Sequence, residues 1–358
     1  MSIDFNGMSG KMKKLYSALW ADNEFIDNNA NVIEKSMDSR YKTPSHNSYC
    51  FGGKEKAELL IKIFGIFDPK LFKEKFNMAV SGSGQEILKI STLHSSSLCA
   101  LLHFYNVTEK NPLIFSDLQT DKKKRTIKFT KSFFEYKSPV INNPSNMDVI
   151  LIGKDQDTNE DIVFFLESKF SEYYLSAANK SGNISRKYLW HEFSKPLIYN
   201  YVRSIFGLQI ININTEYFKL VSETEPFYID GIKQMISHYV GVRNVLNKNY
   251  YEDNDPDNAS KQKEIKDAIN EGNNGEGSIV VLGEIVFDRY IGGLELRPGL
   301  KCGAIYSKRY EEMAEQIGML IRDIKQFEIL KKELGYSLFL TNKFVKEEKI
   351  HQFYREKA

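Results

Sequence analysis

The chain is poor in cysteine, in net charge and in long apolar runs. Its 358 residues include three cysteines, Cys50, Cys99 and Cys302, odd in number and widely spaced, with no CxxC or Cys/His zinc pattern. That argues against a disulfide-stapled secreted scaffold or a zinc site, and predicts three reduced thiols in a reducing compartment. Lys and Arg total 49 against 47 Asp and Glu, a formal net charge of +2. A polyanionic partner would therefore have to use a local basic patch rather than a global field. No stretch approaches the roughly 20 apolar residues of a membrane helix, and the opening segment "MSIDFNGMSGKMKKLYSALW" lacks the continuous apolar run of a secretory signal. These absences predict a soluble cytoplasmic protein with no membrane partner.

What is present is the composition of a folded globular chain, 42% hydrophobic and 27% charged. The length allows one to three domains. Residues 1–84 are expected to be a mostly helical extension, with helices at 11–20 and through "KAELLIKIFGIF" and "PKLFKEKF". Near-helical spacing of Ile87, Ile90, Leu93, Leu98, Leu101, Leu102 and Phe104 predicts a helix over about 85–106. Strands are expected at 125–137, 147–153 and 162–170, joined by polar turns at 141–146 and 154–161, as an antiparallel meander. A helical stretch at about 185–206, a strand at 208–214 and a helix at 229–246 follow. Residues 247–278, polar and rich in Asn, Asp and Gly, read as a flexible loop. A strand at 279–287 and a long helix from Ser307 complete a C-terminal unit, 279–358, packed on the core. In that helix Tyr310, Met313, Ile317, Leu320, Ile324 and Phe327 recur at spacings of 3 and 4. The seam either packs on its own domain or joins two subunits through 307–333 as a homodimer.

Residues 165–170, "FLESKF", end an apolar strand with two opposite charges. Period-2 alternation puts Glu167 and Lys169 on one face. Acid-x-Lys triplets are common in this chain (Asp68/Lys70, Asp121/Lys123, Glu135/Lys137, Glu264/Lys266 and Asp323/Lys325), and a solvated pair contributes under about 1 kcal/mol. Context sets Glu167 apart. Asp148 begins the preceding strand, and an antiparallel hairpin brings the start of one strand beside the end of the next. Two close carboxylates repel unless neutralised, and an oxygen site with open water positions suits Mg²⁺ or Mn²⁺. Such an ion with an adjacent lysine suits phosphodiester hydrolysis.

Through "PSNMDVILIG" and "VFFLESKF" the chain resembles the PD-(D/E)XK nuclease superfamily, the restriction-endonuclease-like fold, over roughly residues 85–215. The resemblance implies an α/β class with a mixed sheet: a core of helix, three-strand meander, helix and strand within 85–246, with helical elaborations at both ends. It implies Asp148 and Glu167 as metal ligands, Lys169 as the catalytic cation and DNA, double-stranded, as substrate, in restriction or another defence setting. The motif's proline is displaced, because Met147 precedes Asp148 and Pro144 lies further upstream.

Glu86 is the candidate for the family's additional helical acid; a first-turn carboxylate serving the helix dipole is the other reading. Glu135 ends the first strand in "FFEYK" and is a further metal candidate; with Asp117 and Lys137 it also forms a rival triad. Gln234 and His238 lie four apart on one helical face, a partial match to a helical Gln and aromatic that approach the site in some members. Lys122, Lys123, Lys124 and Arg125 form the densest basic stretch, either a phosphate-binding patch or a solvated turn. Besides cleavage of DNA, the sequence leaves open a nuclease-fold protein that binds without cutting, an enzyme acting on RNA, and an interaction protein built on the heptad seam.

Overall fold

The structure is a computed structural model that describes residues 3, 5, 8, 10–38, 43–81, 89–171, 180–204, 208–223, 227, 229–252, 256–272, 277–288 and 302–355. The N-terminal part contains α1 (Gly10–Trp20), α2 (Glu24–Asn28), a hairpin of β1 (Ile33–Asp38) and β2 (Thr43–Phe51), α3 (Lys56–Phe64) and α4 (Pro69–Ala79). Local chemistry sets these boundaries. Asn23 caps α2 by accepting from the Phe25 and Ile26 amides. Gly65 ends α3 in the left-handed region at φ 66°, and Asp68 caps α4 directly before Pro69.

Next come α5 (Ser96–Phe104), β3 (Leu113–Gln119), β4 (Lys124–Ile141), β5 (Asn143–Asp155) and β6 (Asp161–Lys169). Of the helix expected over 85–106, residues 85–88 lie outside the described residues, and α5 starts at Ser96 because Ser95 caps it through the Leu98 amide. Residues 91–93 instead run alongside β2, bridged at Cys50 and Thr92. The expected turn at 141–146 is mostly strand: the chain reverses tightly around Asn142, whose left-handed φ of 69° asparagine tolerates.

The chain continues through β7 (Ser181–Ser185), α6 (Lys187–Trp190), α7 (Ser194–Ser204), β8 (Leu208–Ile211), β9 (Tyr217–Ser222), α8 (Ile229–Leu246) and α9 (Pro256–Asn270). It ends with β10 (Ile279–Val286), α10 (Cys302–Ile321), β11 (Phe327–Ile329), β12 (Leu334–Gly335), α11 (Leu338–Thr341) and α12 (Glu348–Phe353). The main sheet has the order β11-β10-β6-β5-β4-β3, with β12 also on β10. β3 to β6 are antiparallel, whereas β10 runs parallel to β6. The protein is thus a mixed α/β fold.

Two expectations change here. The strand at 208–214 does not join the main sheet: β8 pairs with β9 in a separate three-stranded sheet with β7. The strand beside β6 is β10, a fully apolar-flanked run buried on both faces, as a parallel strand in mid-sheet must be. The loop expected over 247–278 contains α9, which buries Ile265 and Ile269 at helical spacing and ties Lys261 Nζ to the Phe134 and Glu135 carbonyls at 3.0 and 2.9 Å.

Each sheet face carries a core. Phe134, Val149, Leu151 and Leu166 pack with the N-terminal helices and α5. Phe133, Ile150, Phe165 and Leu282 pack with α7, α8 and α10. The heptad seam belongs to this second core. Tyr310, Met313 and Ile317 are buried in the chain itself, and Phe327 has already entered β11, so the seam is not a free face for a homodimer. The helix also begins before Ser307. Cys50 and Cys99 are buried free thiols, and among the described residues no helix is long and apolar enough to cross a membrane.

Candidate active site

The ladder between β5 and β6 ends at the pair Val149–Leu166. One residue further the strands part, and Asp148 bridges the gap: a carboxylate oxygen accepts from the Ser168 amide at 2.7 Å. That amide lies between Glu167 and Lys169, so hairpin geometry brings Asp148 to the two charges. Lys169 Nζ lies 2.5 Å from Glu167 Oε1. Both are buried, at 3% and 4% exposure, so this pair differs in kind from the solvated triplets elsewhere.

Helix α8 covers the pair. Gln234 donates to Glu167 Oε1 at 2.9 Å and accepts from Lys169 Nζ at 2.7 Å, closing a three-residue ring. His238, one turn on, places Nε2 3.0 Å from Glu167 Oε2 and Nδ1 2.9 Å from Ser145 Oγ. Gly241 lets the helix come this close: a Cβ there would meet Ser138 Oγ at 2.2 Å and Ser138 Cβ at 2.8 Å. The spacing seen in the sequence thus becomes two side chains on one pair of charges.

Glu135 is buried, with a left-handed φ of 52° in mid-strand. The flanking pairs Phe134–Val149 and Tyr136–Met147 set it opposite Asp148. The Lys261 ammonium grips the carbonyls at this irregular point. The rival triad is not assembled: Asp117 is exposed on β3 and pairs with Lys124 at 2.6 Å. Glu86 lies outside the described residues.

One acid escaped the sequence reading. Glu284 on β10 is the direct register partner of Glu167 and is 2% exposed. Tyr306 donates to its Oε2 at 2.6 Å. The signal was present in "VVLGEIVF", an acid inside an apolar strand, but it lacked a nearby lysine. Glu135, Asp148, Glu167 and Glu284 therefore follow one another across β4, β5, β6 and β10.

This row sets the electrostatics. Burial, then the charges of Glu167 and Glu135, push the Asp148 carboxyl well above the usual carboxylate range against Lys169 and the Ser168 amide. Burial also disfavours the Glu167 carboxylate, but Lys169 and His238 outweigh it and hold that carboxyl low. Burial pushes Glu284 up to about 7, opposed by Lys169 and the Tyr306 hydroxyl. Glu284 accordingly binds its proton more tightly in the folded than in the unfolded state. Its burial penalty develops as pH rises from the ordinary carboxylate value near 4.5 to about 7, so stability falls across that window. Glu284→Gln should therefore raise the melting temperature at pH 8 in EDTA, by up to about 3 kcal/mol of stability, and leave it unchanged at pH 4. Equal shifts at both pH values would show that Glu284 does not titrate this way.

The predicted basic stretch lies elsewhere. Lys124 and Glu135 are eleven residues apart on one strand, about 35 Å at the usual rise. Arg125 is 1% exposed and bound to Asp155, Glu160 and Glu328; Lys123 pairs with Glu160, Lys124 with Asp117, and Lys122 donates to the Ile324 carbonyl. Arg125 is taken up inside the fold, Lys123 and Lys124 stand in half-exposed surface pairs, and the stretch lies away from the carboxylates.

Among the described residues no group of three or more His, Cys, Asp and Glu side chains is disposed to hold a metal ion. The donor chemistry nonetheless fits a hard cation. Asp148 and Glu167 offer two oxygen ligands whose mutual repulsion a cation would relieve, and Mg²⁺ commonly binds through one or two carboxylates and keeps several waters. Comparisons with protein-family models, with curated proteins and with solved structures found no match.

Proposed function

We propose that the protein is a metal-dependent endodeoxyribonuclease of the PD-(D/E)XK type that hydrolyses phosphodiester bonds in double-stranded DNA. The observation that carries this reading is the meeting of Asp148 with the buried Glu167–Lys169 pair where β5 and β6 part. Supporting it is an order of helix, antiparallel meander and covering helix around that point. Asp148 and Glu167 would hold Mg²⁺ or Mn²⁺, which supplies Lewis-acid stabilisation of phosphoryl charge and a more acidic bound water.

The remaining work falls to the chain's own groups. Water adds to phosphorus, the bridging P–O bond breaks, and the leaving oxygen takes a proton. Lys169, held beside Glu167, would offset charge on the phosphoryl oxygens. Gln234 fixes its ammonium, and His238 holds the second oxygen of Glu167. Both are positioning residues, for they touch the acid and the lysine rather than the reacting atoms.

The test is incubation of plasmid, linear duplex, single-stranded DNA and RNA with the full chain in Mg²⁺, Mn²⁺ or EDTA. Metal-dependent cutting of duplex DNA is the expected result. Cutting of RNA alone would move the substrate class. Absence of cutting on every substrate would favour a fold that binds without cleaving.

A further inference from the structure

A second polar site lies outside the carboxylate row. The β1–β2 hairpin is extended by residues 91–93: the Phe51 amide donates to the Ser91 carbonyl at 2.9 Å, and the Leu93 amide to the Tyr49 carbonyl at 3.0 Å. Together with the start of α3 this edge encloses a cleft of about 300 Å³, lined by Lys35, Lys56, Lys89, Ser91, His94 and Glu34, among others. Among the described residues that line the cleft, three lysines stand against one glutamate, although the chain as a whole is close to neutral. The near-neutral total therefore conceals a local cationic site.

The cleft is built rather than incidental. Lys56 Nζ is anchored on the Phe51 carbonyl at 2.6 Å, Ser91 is 1% exposed, and Glu34 packs where a Cβ on Gly52 would stand. His94 is tied through Nδ1 to the Tyr16 hydroxyl at 2.9 Å, and that hydroxyl already accepts from the Tyr49 amide. The alternative acceptor for the Tyr16 proton, the Tyr49 carbonyl, is further away at 3.3 Å.

The same segment runs from the cleft to β6. Four residues beyond Thr92, the Ser96 carbonyl accepts from Ser168 Oγ at 3.1 Å, on the face of β6 opposite to Glu167 and Lys169. Four residues span at most about 14 Å, so the cleft stands close to the end of that strand.

We propose that this cleft is a phosphate subsite that holds the DNA backbone outside the carboxylate row. The proposal rests on the nuclease reading and adds to it the surface that the 122–125 stretch does not provide. Lys35 and Lys89 are exposed, so replacing them leaves the core intact. The experiment is fluorescence anisotropy of the full chain with fluorescein-labelled duplex and single-stranded 20-mers, in EDTA over a range of salt. Lys35→Glu with Lys89→Glu should weaken DNA binding at least tenfold. It should also flatten the slope of log affinity against log salt by roughly 0.7–0.9 per lost phosphate contact.

Lys122→Ala should bind as the wild type does. Unchanged affinity and slope in the double variant, or no binding of DNA by the wild type, would overturn the proposal. So would loss of mononucleotide binding with DNA binding intact, which would make the cleft a small-phosphate site. Because the measurement excludes metal, the two readings separate. Cleavage without a cleft effect leaves the nuclease standing and removes the subsite; cleft-dependent binding without cleavage does the reverse.

Discussion

Asp148→Asn and Lys169→Ala should each lower metal-dependent cleavage of plasmid by at least about 100-fold, the usual scale for a group that acts on developing charge. Their effects on stability should be opposite. Asp148 is repelled by Glu167 and Glu135, and an asparagine oxygen can still accept from the Ser168 amide. Asp148→Asn should therefore melt at or above the wild-type temperature in EDTA. Lys169→Ala leaves Glu167 buried with one cation fewer, and losing one partner of a buried pair costs about 3–5 kcal/mol. Chevron or urea unfolding in EDTA measures this independently of cleavage. A stable Asp148→Asn protein that cuts at the wild-type rate would remove the aspartate from the mechanism.

Arg125→Ala should be among the most damaging substitutions in the chain although it lies far from the carboxylate row. The guanidinium is bidentate to Glu328 at 2.7 and 2.6 Å and also reaches Asp155 at 2.5 Å and Glu160 at 2.9 Å. It joins the beginning of β4 to the β5–β6 turn and to β11. Burial opposes its charge, but the three acids more than offset this and push its pKa up. Removing it strands Asp155 and Glu328, which are 1% and 2% exposed, at an expected loss of about 3–5 kcal/mol. Arg125→Leu combined with Glu328→Leu should lose less than the two single changes summed, because the double change leaves Asp155 as the one stranded acid of the buried pair instead of two. Additive losses would mean that the pair is not coupled. If Arg125 served phosphate binding instead, Arg125→Ala would weaken DNA binding with little effect on unfolding.

Much of the site was legible because local pattern carries it. Glu167 and Lys169 stand out as charges on an apolar strand, and Asp148 follows from the hairpin. Gln234 and His238 follow from a helical spacing of four. Each inference needs only a strand or helix period and one turn. Arg125 was misread for the opposite reason. Beside three lysines it looks like a basic turn, and nothing local reveals that Asp155 and Glu328 close on it. The segment 247–278 misled in a similar way, since its polar composition masks Ile265 and Ile269 at helical spacing and a lysine anchored on β4.

The sequence by itself determined the meander, the helix that covers it and three of the charges at its open end, because periodicity and tight turns are local properties. Tertiary structure alone decided that β10, not the strand at 208–211, lies beside β6, and so brought Glu284 into register with Glu167. It also decided that Arg125 is buried among three acids, while Lys35, Lys56 and Lys89 share a cleft. The physical reason is the same in each case. A parallel neighbour reached by a long crossover and a cluster gathered from distant elements are set by packing and charge pairing in three dimensions, and neither leaves a period in the chain.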